Sequence, residues 1–126
     1  MKTLLVVAHG SRRAESNDEV RRLTECLSAQ ANGIYDQVQC AFLELAEPSI
    51  PDGLRNAIRA GAEQVTVVPY FLSAGRHVVT DVPAEIDVVR KESPNVDIVL
   101  APYLGAADGL TELLLQQARK IQPLPR

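Results

Sequence analysis

The chain has 126 residues, enough for one domain and too few for two of ordinary size, and needs no disulfide or structural metal to bury a core. Hydrophobic residues make up 46% and charged residues 23%, which excludes a disordered or collagen-like polymer. The net charge is −3, neither half is net basic and aromatics are only 4% with no tryptophan, so nucleic acid is not an expected partner.

In chain order, Lys2 precedes an apolar run, Leu4 to Ala8, that is too short for a signal peptide or a membrane span. The expectation is a cytoplasmic protein without membrane association. Residues 3–8 read as a strand buried on both faces, and 14–32 as a helix with Val20, Leu23, Leu27 and Ala31 inward. Residues 36–44 alternate like an edge strand, and Pro48, Ser49 and Pro51 introduce a helix over 51–60 with Ile50, Leu54, Ala57 and Ile58 on one face. Residues 64–71 read as a third strand, followed by the loop SAGRH. Asp81 then has the character of an N-cap for a helix over 82–92 that buries Val82, Ile86 and Val89. A fourth strand over 96–101 and a helix over 107–121, with Leu110, Leu113, Leu114 and Ile121 inward, complete the pattern; 122–126 is expected to fray. Cys26 is expected on the buried side of its helix and Cys40 in a strand, and their spacing matches no zinc site.

Four strands alternating with four helices specify a single α/β domain over 1–126, with a four-stranded, mainly parallel sheet and helices on both faces. Right-handed crossovers favour the order 2-1-3-4. Pro69 conflicts with a central third strand, so that strand is expected to end near Val68.

Ligands in such sheets bind beyond the carboxyl ends of the strands. Both histidines fall there: His9 directly after the first strand, His77 in the loop after the third. Glu44 ends the second. Two imidazoles and one carboxylate suit a borderline divalent metal such as cobalt, nickel, iron(II) or zinc, and leave coordination positions open. The turn HGSRR is neither a dinucleotide nor a phosphate loop, so no nucleotide is expected. No GxSxG is present to make Ser11 a nucleophile. Gly10 reads as a residue that lets the chain turn beneath a ligand, and Arg12, Arg13 and Arg76 as solvated charges or an anion clamp.

The segments LLVVAHGSRR, FLELAEPSI and VVPYFLSAGRHVVTDVP resemble the small sirohydrochlorin chelatases, the short members of the class II chelatase family. The resemblance runs from residue 3 to about residue 104 and rests on HGSR, FLE-x-x-x-P and PxFLxxGxH-x-x-x-D-x-P in that order. It implies ATP-independent insertion of cobalt, or else iron or nickel, into sirohydrochlorin, toward cobalamin or sirohaem. The family's metal-binding and proton-accepting residues fall on His9, His77 and Glu44, with Glu47 as the other carboxylate to consider. Ser11, Arg12, Arg13, Leu72, Gly75 and Arg76 become candidate substrate contacts, the apolar ones facing the macrocycle and the arginines its carboxylates. The sequence has neither a histidine-rich tail nor a second copy of the motifs, so metal storage and a one-chain two-domain enzyme are not expected.

One open rim is small for a broad tetrapyrrole, so a homodimer is expected, with the last helix and the Leu72–Gly75 loop as candidate contacts. Two other functions compete. A metal or tetrapyrrole carrier would need the same ligands but would not turn over. A histidine-nucleophile phosphatase or mutase would want an arginine before its histidine, and Ala8 stands there.

Overall fold

The computed structural model describes residues 1–121, 123 and 124, so the frayed tail expected over 122–126 falls largely outside them. The strands are β1 (Lys2–Ala8), β2 (Gln37–Phe42), β3 (Gln64–Pro69) and β4 (Asp97–Leu100). The helices are α1 (Ala14–Gln30), α2 (Ile50–Arg59), α3 (Val82–Glu92) and α4 (Leu110–Arg119). A π-helical turn, His77–Asp81, runs directly into α3, and a 3-10 turn, Leu104–Ala106, lies between β4 and α4. The sheet order is β2-β1-β3-β4 and every ladder is parallel, as the crossover rule requires.

The two-residue period of the strands divides the side chains between two layers. Leu5, Val7, Ala41, Val65, Val67 and Ile98 meet α2 and α3, which contribute Ile50, Leu54, Ala57, Val82, Ile86 and Val89. Gly53 lets α2 settle closely on the sheet, because a Cβ there would stand 2.9 Å from that of Ala41. Ser49 caps α2 by accepting from the Asp52 N–H at 3.2 Å. On the opposite face α1 sets Val20 against Ala8 and Phe42, with Cys40 packed at the edge.

Four expectations are corrected. Pro69 does lie in β3, opposite Val7, and is fully buried. The Tyr70 N–H donates to Val7 O at 2.7 Å, so by alternation the Pro69 nitrogen faces the β4 side, where β4 has already ended at Leu100. The missing N–H therefore costs no ladder bond. Asp81 is not a cap: its backbone is helical, and the helix begins four residues earlier at His77. Cys26 is exposed, lying round the helix from the buried Asn17, Val20 and Thr24, and Leu23 is 39% exposed because α1 lies over β2 and leaves its β3-facing flank bare. The fourth correction concerns α4, which starts at Leu110 and buries none of its residues; Leu113, Leu114 and Ile121 are all exposed. Among the described residues no helix is long and apolar enough to cross a membrane.

Gly10 has φ +91°, and a Cβ there would overlap the carbonyl oxygen of Glu44. Gly10→Ala should therefore destabilise the fold by about 2 kcal/mol, a Tm loss of roughly 5–10 °C in a domain of this size. An unchanged melting curve would show that these two loops separate at little cost.

Candidate functional site

The sheet ladder continues into the loops that carry the candidate residues. Beyond the last strand pairs, the Leu43 N–H donates to Ala8 O at 2.9 Å and the Glu44 N–H to His9 O at 3.0 Å. The main chains of His9 and Glu44 are thus laced together two residues past the end of β2. Leu45, next along, sits at φ +65°, an uncommon conformation for a leucine, which turns the chain sharply after Glu44. Farther along this loop, Arg21 of α1 donates to the Glu47 carbonyl at 3.2 Å while its guanidinium lies 5.2 Å from the centre of the Phe42 ring. On the other side, Asn17 clasps Ser11 with two hydrogen bonds: its Oδ1 accepts from the Ser11 N–H at 2.9 Å, and its Nδ2 donates to the Ser11 carbonyl at 2.8 Å.

These restraints bring His9 Nε2 to 3.3 Å from Glu44 Oε1, and the His9 and His77 rings meet edge to face with centroids 4.7 Å apart. Both rings are held by their other nitrogen. His9 Nδ1 lies 2.9 Å from the Gly10 carbonyl, and His77 Nδ1 lies 2.8 Å from Asp81 Oδ2. A carbonyl and a carboxylate can only accept, so both Nδ1 atoms carry the proton and both Nε2 atoms are left with a lone pair in the neutral imidazole. Histidines that bind metals are oriented in this way. A neutral His9 would then set its Nε2 lone pair against the Glu44 carboxylate, so the pair calls for a proton or a metal cation between them. The separation suits a metal: two ligands at about 2.0–2.1 Å from a tetrahedral ion stand roughly 3.3 Å apart.

The structure thus brings Glu44, rather than Glu47, to the histidines. Among the described residues no three His, Cys, Asp or Glu side chains already converge on one metal position, so His77 stands beside the His9–Glu44 pair rather than closing on it. All three side chains are part-exposed, Glu44 the most at 53%. His77 forms a shared wall between two open clefts. One, of about 240 Å³, is otherwise lined by Leu43, Glu44, Asp81, Ala84 and Glu85. The other, of about 300 Å³, is lined by Phe71, Leu72, Ser73, Gly75 and Val78 and is mainly apolar. The 3-10 turn supports this second wall: the Gly105 N–H donates to Phe71 O at 2.9 Å, and a Cβ on Gly105 would overlap the Leu72 carbonyl.

The remaining candidates are scattered along the rim. Leu72, Gly75, Arg12 and Arg76 are exposed, whereas the Arg13 guanidinium pairs with Glu15 at 3.1 Å. The Ser11 hydroxyl accepts from the Arg13 N–H at 3.0 Å. Sequence reasoning missed Asp81 as the partner of His77, Asn17 as the clasp on Ser11, and Glu85 in the acidic cleft. The four-residue spacing of His77 and Asp81 was the available signal, since helical neighbours at that spacing share a face.

Comparison with known proteins identifies relatives of the whole domain. The CbiX family model matches residues 3–121. A sirohydrochlorin cobaltochelatase of Methanococcus maripaludis is 40% identical over 143 aligned positions, covering 94% of this chain and 98% of that protein. The chloroplastic sirohydrochlorin ferrochelatase of Arabidopsis thaliana is 34% identical over 88% of this chain, which spans only 48% of that protein's length. The crystal structure of the sirohydrochlorin chelatase SirB from Bacillus subtilis subspecies spizizenii, in complex with cobalt, superposes with a TM-score of 0.85 at 28% identity, over 95% of this chain and 50% of SirB. With residues 3–121 inside the family model, the chain belongs to the CbiX family.

Proposed function

We propose that the chain is a metal chelatase that inserts a divalent metal, cobalt first and iron second, into sirohydrochlorin without a nucleotide. The observation that carries this reading is the geometry of His9, Glu44 and His77: two imidazole Nε2 atoms and one carboxylate at the rim, with both Nδ1 atoms tied back. The names of the cobaltochelatase and ferrochelatase relatives support the substrate, and SirB supports cobalt as a metal for this fold. Nickel is a further metal to assay. The two cysteines are free, which suits a reducing cytoplasm, and we read residues 1–126 as one chelatase unit that works as a homodimer.

The reaction exchanges one metal ion for two ring N–H protons. In this reading His9 and Glu44 hold the incoming ion, and His77, its Nδ1 still held by Asp81, presents its Nε2 to the ion from the shared wall of the two clefts. As the ion passes to the ring nitrogens, each Nε2 released from it becomes free to accept a ring proton, with Glu44 able to take or pass one. One nitrogen cannot serve metal and proton together, so the order is enforced: the ion leaves as the proton arrives. Asp81 is a positioning residue that keeps the His77 Nδ1 proton in place. Leu72 and Gly75 meet the plane of the macrocycle, and Ser11, Arg12, Arg13 and Arg76 its carboxylate edge, with Arg13 exchanging Glu15 for a substrate carboxylate.

The direct test is the absorbance change on metal insertion with cobalt, iron and nickel in parallel. More than one equivalent of product per protein is expected. A stop at one equivalent would make the chain a carrier. His9→Ala and His77→Ala should each lower the rate at least about a hundredfold with little loss of stability, because both lie on the rim. Glu44→Gln should weaken cobalt binding or turnover while the fold persists; a larger loss from Glu47→Gln would overturn the choice of carboxylate. Asp81→Asn should lower kcat more than it raises KM, and an unchanged kcat would leave His77 without need of its partner.

A further inference from the structure

Pro69 leaves the end of β3 without an N–H on its β4 side, and the chain answers that loss with a turn rather than a strand. Beyond β4 the Ala101 N–H still donates to Val67 O at 2.8 Å; the chain then leaves the sheet and closes the 3-10 turn Leu104–Ala106. Two hydrogen bonds of 3.0 Å hold the turn shut, from the Ala106 N–H to Tyr103 O and from the Ala107 N–H to Leu104 O. The Gly105 N–H faces back toward the sheet and donates to Phe71 O at 2.9 Å. Backbone polar groups alternate along an extended chain, so Phe71 offers its carbonyl on the side where Pro69 has no donor, and Gly105 supplies the next rung. Tyr70, between them, donates to Val7 O at 2.7 Å on the β1 side. The main chain is thus gripped from both sides immediately before Leu72.

Gly105 serves space rather than conformation. Unlike Gly10, Gly33 and Gly61 it has no positive φ, so its backbone is one that any residue adopts. What excludes a side chain is the neighbour: a Cβ would overlap the Leu72 carbonyl and stand 3.0 Å from the Leu72 Cα. The obstacle is backbone, not the end of a flexible side chain, so an added methyl group is accommodated only if the Leu72 segment moves. That segment is the outer wall of the apolar cleft, where Leu72 is 68% exposed and His77 closes the far side. Gly105 itself lines neither of the two clefts beside His77.

We propose that Gly105 is a positioning residue for the macrocycle: by seating the turn after β4 against the Phe71–Leu72 main chain, it fixes the wall on which the flat ring lies. This rests on the chelatase reading above and gives a residue outside the cleft control of the cleft's width. A displaced wall alters how an apolar plate packs against Leu72 and how it stands relative to His77. The His9–Glu44 pair lies off this path. It is held by the close approach at Gly10 and by the contacts of Asn17 and Arg21, none of which involves the turn. Macrocycle binding and metal binding therefore respond separately to a change at Gly105.

Steady-state chelation, with sirohydrochlorin and cobalt(II) varied in turn, tests this on Gly105→Ala beside wild type. The KM for sirohydrochlorin should rise at least about tenfold, while kcat and the KM for cobalt stay within about threefold, because the wall contacts ground state and transition state alike. A general loss of structure would instead lower kcat through the active fraction and leave both KM values alone. Gly109→Ala is the control in the same connection: its backbone is helical, an added Cβ there meets nothing within 4 Å, and it should match wild type. Far-UV circular dichroism checks folding. If Gly105→Ala does not fold, Ala107→Pro takes its place, since it removes the Ala107 N–H bond to Leu104 O, disfavours the helical conformation of Ala106 and so loosens the turn without crowding Leu72. It should raise the same KM. An unchanged KM for sirohydrochlorin in the folded variant, or an equal rise in Gly109→Ala, would overturn the role of Gly105 and leave the chelatase standing. A wild type that turns over with none of cobalt, iron and nickel would instead remove the chelatase reading on which that role rests.

Discussion

At the carboxyl edge of the sheet the main chain of Gly10 passes so close to the Glu44 carbonyl that no side chain fits between them. The candidate site depends on this approach. The Glu44 N–H reaches His9 O only because the two loops run side by side, and the same proximity sets the Glu44 carboxylate against His9 Nε2. Elements on both sides keep it in place. Asn17 fastens the turn after β1 to the first turns of α1, and Arg21 fastens the far end of the β2–α2 loop to that same helix. One helix thus braces both walls of the His9–Glu44 pair.

His77 is mounted differently. It opens the π-helical turn that leads into α3, and its Nδ1 is held from within that turn by Asp81. Single π-helical turns concentrate at functional sites, where they aim a side chain that a regular helix would direct elsewhere. In the proposed reading, a site that accepts a metal ion and then releases it gains from unequal mounting. His9 and Glu44 form a fixed pair on the sheet edge, while His77 sits on a separate element bordering the cleft where a macrocycle can lie. The acidic cleft on its other side offers a cation a route to the same ring without crossing the apolar surface.

Much of this was legible in the sequence because it follows from local rules. Alternating periods located the four strands and four helices, crossover handedness fixed the strand order, and the rule for open sheets selected the loops holding His9, Glu44 and His77. The failures share a cause: each depended on a neighbour that no local pattern names. Asp81 has the composition of an N-cap, and only an earlier helix start turns it toward His77. Pro69 is tolerated because β4 stops one rung short, a matter of the neighbour's length. The periodicity of α4 correctly marks an apolar face, and that of α1 marks Leu23 likewise. Periodicity says that a face is apolar, not whether another element of the same fold covers it.

In the proposed site His9, His77 and Glu44 hold one divalent ion through two imidazole Nε2 atoms and a carboxylate oxygen. X-ray absorption spectroscopy of cobalt(II) bound to the protein in the absence of tetrapyrrole addresses this most directly. The expected spectrum has two imidazole nitrogens and a carboxylate oxygen around the cobalt, one imidazole being lost in His9→Ala and one in His77→Ala. A shell of oxygen ligands alone, unchanged in both variants, would contradict it.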